Sequence, residues 1–254
     1  MKTLLTIIMA AFILSGCVAK APVTGRTQLM LTNESEMAKL GDEEAENILK
    51  SSKRADKATE DRVAAIGVKI VAAAKAAGYK GAEQKWEFYT LDDPTVNAFA
   101  LPGGKVFFYT GILKLMKNDD QIACVMGHEI AHVLAQHGAE RMSQQQIAAV
   151  GQEVLSAATK NSKYQSLYET AYGVGANVGV ILPFSRKHES EADQIGVVLM
   201  TKAGYNPREA IVFWQAMAAA SKAAGSKSPE FLSTHPSDER RIKDIEGYIA
   251  KGVK

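Results

Sequence analysis

The stretch Gln121-Ile122-Ala123-Cys124-Val125-Met126-Gly127-His128-Glu129-Ile130-Ala131-His132-Val133-Leu134-Ala135-Gln136-His137 decides how the rest of the chain is read. Apart from its ends, His128, Glu129 and His132, it is apolar or small, so it reads as one buried helix running from Gln121 to His137. Four residues advance a helix by about one turn and leave two side chains roughly 40° apart. His128 and His132 therefore share a face and can reach one ion together. Two imidazoles and a carboxylate on a buried helix are costly unless they share a metal, and the apolar neighbours Ile130, Ala131, Val133 and Leu134 make that burial the expectation.

Glu129 lies too close in sequence to bind the ion alongside both histidines, yet it can approach a water in an open coordination position. Zinc brings the pKa of bound water to about 7, and a neighbouring carboxylate can take the proton as the water attacks a peptide carbonyl. The pattern thus implies one Zn2+ per chain and Glu129 as general base. Catalytic zinc takes three protein ligands and keeps one position open. His137 stands nine residues after His128, about 180° round the same helix, and is expected on its far side, as a surface or second-helix contact. The better source of a third ligand is Arg186-Lys187-His188-Glu189-Ser190-Glu191-Ala192-Asp193, which opens a second helix after Pro183 and sets Glu189 and Asp193 one turn apart.

HExxH followed by Arg-x-x-Glu-x-x-Ala-Asp resembles the gluzincin peptidases of the CAAX prenyl protease and mitochondrial overlapping-activity protease type, which include small bacterial lipoproteins. The resemblance implies that Glu189 is the third zinc ligand, with Glu191 the runner-up. It further implies that Asp193 lies behind the metal and fixes the orientation of a ligating histidine. The likeness extends to Pro22-Val23-Thr24-Gly25-Arg26, to Asn97-Ala98-Phe99-Ala100 with Pro102-Gly103-Gly104, and to Thr234-His235-Pro236-Ser237. By that likeness Asn97, Ala98, Phe99 and Ala100 border the cleft and pair with an extended substrate. His235 would either donate to the oxyanion or take the fourth zinc position and hold the enzyme inactive.

The wider chain agrees. Helices are expected from Asn33, and from about Thr59 to Ala77; strands at Lys85 to Leu91, Ala98 to Leu101 and Lys105 to Thr110; then an almost wholly helical remainder from Asp119, broken near Gly138, Asn161, Pro183, Gly204 to Pro207 and Ser228 to Pro236. The apolar segment Ala171 to Phe184, with its glycines, suits close helix packing and is too short to span a bilayer. The fold class is α+β and mostly helical. The resemblance makes it a zincin-like domain with a small antiparallel sheet whose edge strand borders the cleft.

At the start, Lys2 and the apolar run Leu4 to Leu14 read as a signal peptide over residues 1–16. Leu14-Ser15-Gly16-Cys17 resembles the bacterial lipobox, so Cys17 is expected to carry lipid. Residues 17–32 then form a tether and 33–254 a single domain. By resemblance to such lipoproteins, in which an aspartate after the cysteine favours inner-membrane retention, Val18 implies the outer membrane facing the periplasm. Cys124, on the apolar helix, reads as a small core residue. With 30 Lys and Arg against 28 Asp and Glu, a net charge of +2 leaves no field to attract nucleic acid. The expected partners are peptide or protein substrates and a membrane reached through the lipid. The expected function is endopeptidase action on extended or misfolded envelope proteins; the alternative is a zinc-binding chaperone-like or scaffolding lipoprotein.

Overall fold

The computed structural model describes residues 18–160, 162–176, 182–224, 229–236 and 239–252, with the side chains of 174–176, 182–185, 224 and 239 left aside. The signal segment and Cys17 lie outside the described residues, as do 177–181 within the Ala171 to Phe184 segment.

Among the described residues the strands are β1 (Val18–Lys20), β2 (Thr27–Leu29), β3 (Glu87–Leu91), β4 (Ala98–Leu101) and β5 (Lys105–Tyr109). The helices are α1 (Glu34–Ser51), α2 (Lys57–Ala76), the single turn α3 (Thr110–Leu113), α4 (Asp119–Leu134), α5 (His137–Thr159), α6 (Gln165–Ala176), α7 (Leu182–Lys202), α8 (Arg208–Ala224), the single turn α9 (Phe231–Thr234) and α10 (Glu239–Ala250). Their starts are written in the sequence. Asn33, Asp56 and Asn118 each sit extended just before a helix and accept a hydrogen bond from a first-turn amide, satisfying one of the orphan N–H groups there. Pro183 falls in the first turn of α7, where its missing N–H costs no ladder bond.

The class is the expected α+β, dominated by helix. The main sheet has the order β3-β5-β4. The β4–β5 hairpin is antiparallel, Ala98 facing Phe108 and Leu101 facing Lys105, as its Pro-Gly-Gly turn demands. Gly103 and Gly104 both adopt φ above +80°, and a Cβ on Gly104 would stand 2.8 Å from Lys85 O, so no other residue fits that turn. The sheet is nevertheless mixed: β3 pairs in parallel with β5, since β5 runs between β3 and β4 and returns in the direction of β3. That leaves β4 on an outer edge.

Two sequence expectations change. The helix across HExxH stops at Leu134, because Gln136 turns left-handed at φ 53°, and α5 restarts at His137. The stretch 18–32, expected as a tether, is folded onto the domain from Val18. β1 and β2 pair antiparallel, Gln28 is buried, and its amide donates to Ala135 O, capping an open carbonyl at the end of α4. Leu31 N donates to Ser143 Oγ in α5. Short polar strands of this kind owe their order to such partners, which no local pattern announces.

α4 is the centre of the molecule. Ile122, Ala123, Val125, Met126, Ile130 and Ala131 are buried in one apolar core with Ile66 and Ile70 of α2, Ile195 and Leu199 of α7, and Phe213 and Trp214 of α8. Cys124 is a free, buried member of that core, its thiol pKa pushed up by burial. α4 and α7 cross with almost no space between their backbones: a Cβ on Gly127 would stand 3.0 Å from Gly196 O, and one on Gly196 would stand 3.0 Å from His128 N. This crossing sets how far Glu189 stands from His128. Gly196→Val is expected to destabilise the fold by about 1–3 kcal/mol through overpacking and to weaken zinc binding at the same time; thermal unfolding and zinc titration of the variant, with unchanged affinity counting against the assigned role of the crossing, check both.

Candidate metal centre

His128 and His132 both project from α4, and Glu189 comes from α7 across the glycine crossing. His235 follows the α9 turn. One ligand atom from each of these four residues lies within 4.8 Å of all the others. His128 Nε2 stands 3.0 Å from His132 Nε2 and 3.2 Å from His235 Nδ1. Glu189 oxygens stand 3.3 Å from His128 Nε2, 3.4 Å from His132 Nε2 and 3.0 Å from His235 Nδ1. Two donors each about 2.0–2.1 Å from zinc at tetrahedral angles are about 3.3 Å apart. The spacing fits zinc without rearrangement.

The hydrogen bonds behind the histidines make the same case. His128 Nδ1 lies 3.0 Å from Asp193 Oδ1, and a carboxylate can only accept, so Nδ1 carries the hydrogen and Nε2 presents a lone pair. His132 Nδ1 is hydrogen-bonded to His137 Nδ1 at 2.9 Å, which leaves its Nε2 likewise facing the centre. Imidazole lone pairs and a carboxylate aimed at one buried point repel each other unless a cation stands between them. Burial lowers the pKa of His128, but hydrogen bonds to Asp193 and Glu189 more than reverse this and raise it to about 9, a proton meeting the demand that a divalent ion meets better. Burial pushes Glu189 up, and the surrounding His235, His132 and Arg241 hold it well below the usual carboxylate range.

Asp193 is itself gripped. Arg241 donates to it through Nε at 2.6 Å and Nη2 at 2.8 Å, its guanidinium lies 3.6 Å over the Trp214 ring, and it reaches the carbonyls of His235 and Pro236 at 3.4 and 3.2 Å. One arginine thus ties the His128 support to the His235 loop. Sequence reading left Arg241 without a role; its place six residues after His235 is the only signal there was. The runner-up Glu191 is excluded as a ligand: two residues from Glu189, it points roughly 200° away round α7, and it pairs with His137 and Arg26 instead.

Glu129 is buried beside this cluster. Its Oε1 has no hydrogen-bond partner, although His235 Nε2 is 3.4 Å away, close but out of hydrogen-bonding geometry. Burial pushes its carboxyl above the usual value, against the opposing pull of His235 and His128. It faces a cavity of about 470 Å³ that also meets His132, His235, Asn97, Phe99 and Ala100. Of the four expected cleft residues, Ala98 is fully buried in the core and does not line this cavity. The β4 edge borders this cavity, as expected.

A helix carrying His-Glu-x-x-His, completed by a glutamate from a later helix, defines the zincin metallopeptidase class of fold and site. The chain belongs to that class through Peptidase family M48, whose family model matches residues 58–249. It is similar to the mitochondrial metalloendopeptidase OMA1 of Schizosaccharomyces pombe, 44% identical over 165 residues, which are 65% of this chain and 47% of that one. It is 32% identical over 243 residues to the mitochondrial metalloendopeptidase OMA1 of Homo sapiens, covering 92% of this chain and 46% of that one. The beta-barrel assembly-enhancing protease of Escherichia coli strain K12 is 31% identical over 166 residues, 63% of this chain and 33% of that one. The chain spans about half the length, or less, of these curated relatives. The cofactor that family and donor set share is zinc.

Glu189→Ala is expected to abolish stoichiometric zinc after dialysis, whereas Asp193→Ala, which removes only the support of His128, should weaken affinity about 10–100-fold. Metal analysis and chelator competition distinguish the two; full zinc retention in Glu189→Ala would contradict the ligand assignment.

Proposed function

We propose that the chain is a zinc metalloendopeptidase that hydrolyses extended or misfolded proteins of the bacterial envelope. The observation that carries this reading is the buried Glu129 carboxylate, with no hydrogen bond to its Oε1, which lines a cavity beside a ready-made metal centre and a strand edge. A structural zinc site has no use for such a group, since an unsatisfied buried carboxylate is destabilising unless it has a task.

His128, His132 and Glu189 would hold zinc, which when bound would supply Lewis acidity toward a peptide carbonyl and toward water near neutral pH. The chain's own residues do the rest. Glu129, which lines the cavity, takes the proton from the attacking water and returns it to the leaving nitrogen, and its raised pKa suits both transfers. The outer edge of β4 offers backbone groups to an extended peptide, with Asn97, Phe99 and Ala100 beside it in the cavity. Recognition through main-chain pairing suits unfolded chains of varied sequence. His235, with Nδ1 among the other three donors, would serve as a further ligand in a closed form of the site, and its withdrawal would make room for water.

Periplasmic location with a lipid on Cys17, at the outer membrane, completes the proposal. It rests on the Leu-Ser-Gly-Cys motif and on the likeness to a protease named for β-barrel assembly. Among the described residues no helix is long and apolar enough to cross a membrane.

Glu129→Gln is expected to lower cleavage of unfolded casein by at least about 100-fold, the scale of losing general-base catalysis, while zinc content stays at that of the unaltered protein; comparable cleavage by both proteins would remove this mechanism. Cys17→Ala should move the chain from the membrane to the soluble fraction on cell fractionation. Retention of the variant in the membrane fraction would dismiss the lipid anchor.

A further inference from the structure

All five histidines of the chain form one connected set: beyond His235, His128 and His132, the ring of His137 meets His132 edge-on at 4.9 Å and His188 stacks on His137 at 4.4 Å. The zinc reading uses three of these as donors and leaves His137 and His188 unexplained, as it does the Thr24-Gly25-Arg26 stretch of the N-terminal arm.

The hydrogen bonds here have only one consistent direction. Zinc at His132 Nε2 puts the hydrogen of that neutral ring on Nδ1, which then donates to His137 Nδ1, 2.9 Å away. His137 must accept there, so its own hydrogen sits on Nε2, which lies 3.0 Å from Glu191 Oε2. Glu191 accepts it while also accepting from Thr24 Oγ1 and from Arg26 Nε at 2.8 Å. Arg26 in turn forks onto Glu140 at 2.8 and 2.7 Å. Glu140 accepts from Gln28 at 2.9 Å and lies 3.0 Å from His188 Nε2, whose ring holds His137 flat. His137, Glu140, His188 and Glu191 are all buried, so this is an internal assembly and not a surface ion pair.

The arrangement mirrors the one behind the other zinc histidine. His128 is backed by Asp193, and Asp193 by Arg241; His132 is backed by His137, then Glu191, and Glu191 by Arg26. The difference is where the arginine comes from. Arg241 belongs to the last helix of the domain, whereas Arg26 belongs to the arm that precedes the first. We propose that the N-terminal arm, through Arg26 and Glu191, orients the zinc ligand His132 by way of His137, making His137 a positioning residue for the metal. The arm also fastens the α4–α5 junction, where Gln28 bonds Ala135 O beside the left-handed Gln136 that swings His137 back toward α4. Loss of the arm would therefore release both the relay and the turn that places it.

This inference rests on the zinc reading above, and its test separates the two. Zinc affinity of the purified full chain is measured by chelator competition, with the melting temperature of the metal-free protein alongside, for the unaltered protein, His128→Ala, His137→Leu, His137→Asn, Arg26→Lys and the Arg26→Lys/His137→Leu double variant. His137→Leu is expected to weaken zinc about 10–100-fold, the usual loss for a partner behind a metal ligand. His137→Asn, whose amide oxygen can stand near the lost Nδ1 and accept from His132, should recover most of it, even if its metal-free melting temperature stays as low as that of His137→Leu. Arg26→Lys keeps the charge but loses the fork, and should weaken zinc by a smaller factor that adds nothing on top of His137→Leu, since both act through one chain of bonds. Unchanged affinity in His137→Leu, no recovery in His137→Asn, or additive losses in the double variant would each overturn the relay. Absence of zinc from the unaltered protein, or full affinity in His128→Ala, would instead overturn the metal site itself, and the relay with it.

Discussion

The backbone contact between α4 and α7 at Gly127 and Gly196 is the constraint from which the rest follows. A metal centre built from two helices needs their donors about 3 Å apart, and side chains as short as glutamate and histidine reach that spacing only if the helix axes are close. Two facing glycines give that closeness. The apolar core packed around α4 keeps it, because an interior at crystal-like density does not let two helices drift apart.

Bringing those donors together creates an electrostatic problem that organises the next layer. Lone pairs and carboxylates gathered in a dry interior are unfavourable unless opposite charge is near. The chain answers with two arginines on either side of the centre, each holding a carboxylate that faces a histidine ring. Arg241 is buried against Trp214, and Arg26 belongs to the N-terminal hairpin, directly before β2. Carboxylates that would be pushed up by burial are held low instead, Glu191 to about 2 by its bonds to His137, Arg26 and Thr24. Glu129 is the exception. It lacks an arginine clamp, its carboxyl pKa is raised, its Oε1 is without a hydrogen bond, and the residue lines the cavity. The contrast between held and unheld carboxylates separates the groups that build the site from the group suited to moving a proton.

The edge strand belongs to the same logic. β4 is kept at the margin of the sheet because β5 occupies the middle, and its Pro-Gly-Gly turn ties it to β5 in fixed register. With Ala98 anchored in the core, the strand cannot rotate, so its outer edge stays level with the cavity that Glu129 faces. A rigid strand beside a metal centre positions an extended chain better than a loop would.

What the sequence determined by itself is everything that depends on helical period and on caps. The four-residue interval of His128 and His132, and that of Glu189 and Asp193, sets each pair on one face whatever lies around it, and Asn33, Asp56 and Asn118 mark helix starts by local hydrogen bonding alone. What only the tertiary structure decided lies where a long-range partner overrides the local pattern. The helix was read through to His137 because Gln136 carries no sign of a left-handed turn, a conformation made tolerable by the buried Gln28 bonding beside it. Residues 17–32 read as a tether because short polar strands bury little by themselves; from Val18 on, their order comes from Glu140, Glu191 and Ser143, all more than a hundred positions away along the chain. Glu189 could be separated from Glu191 by resemblance but not by composition, since both are glutamates on one helix, and only the packing of α7 between α4 and the arm shows which faces the centre and which faces the arginine.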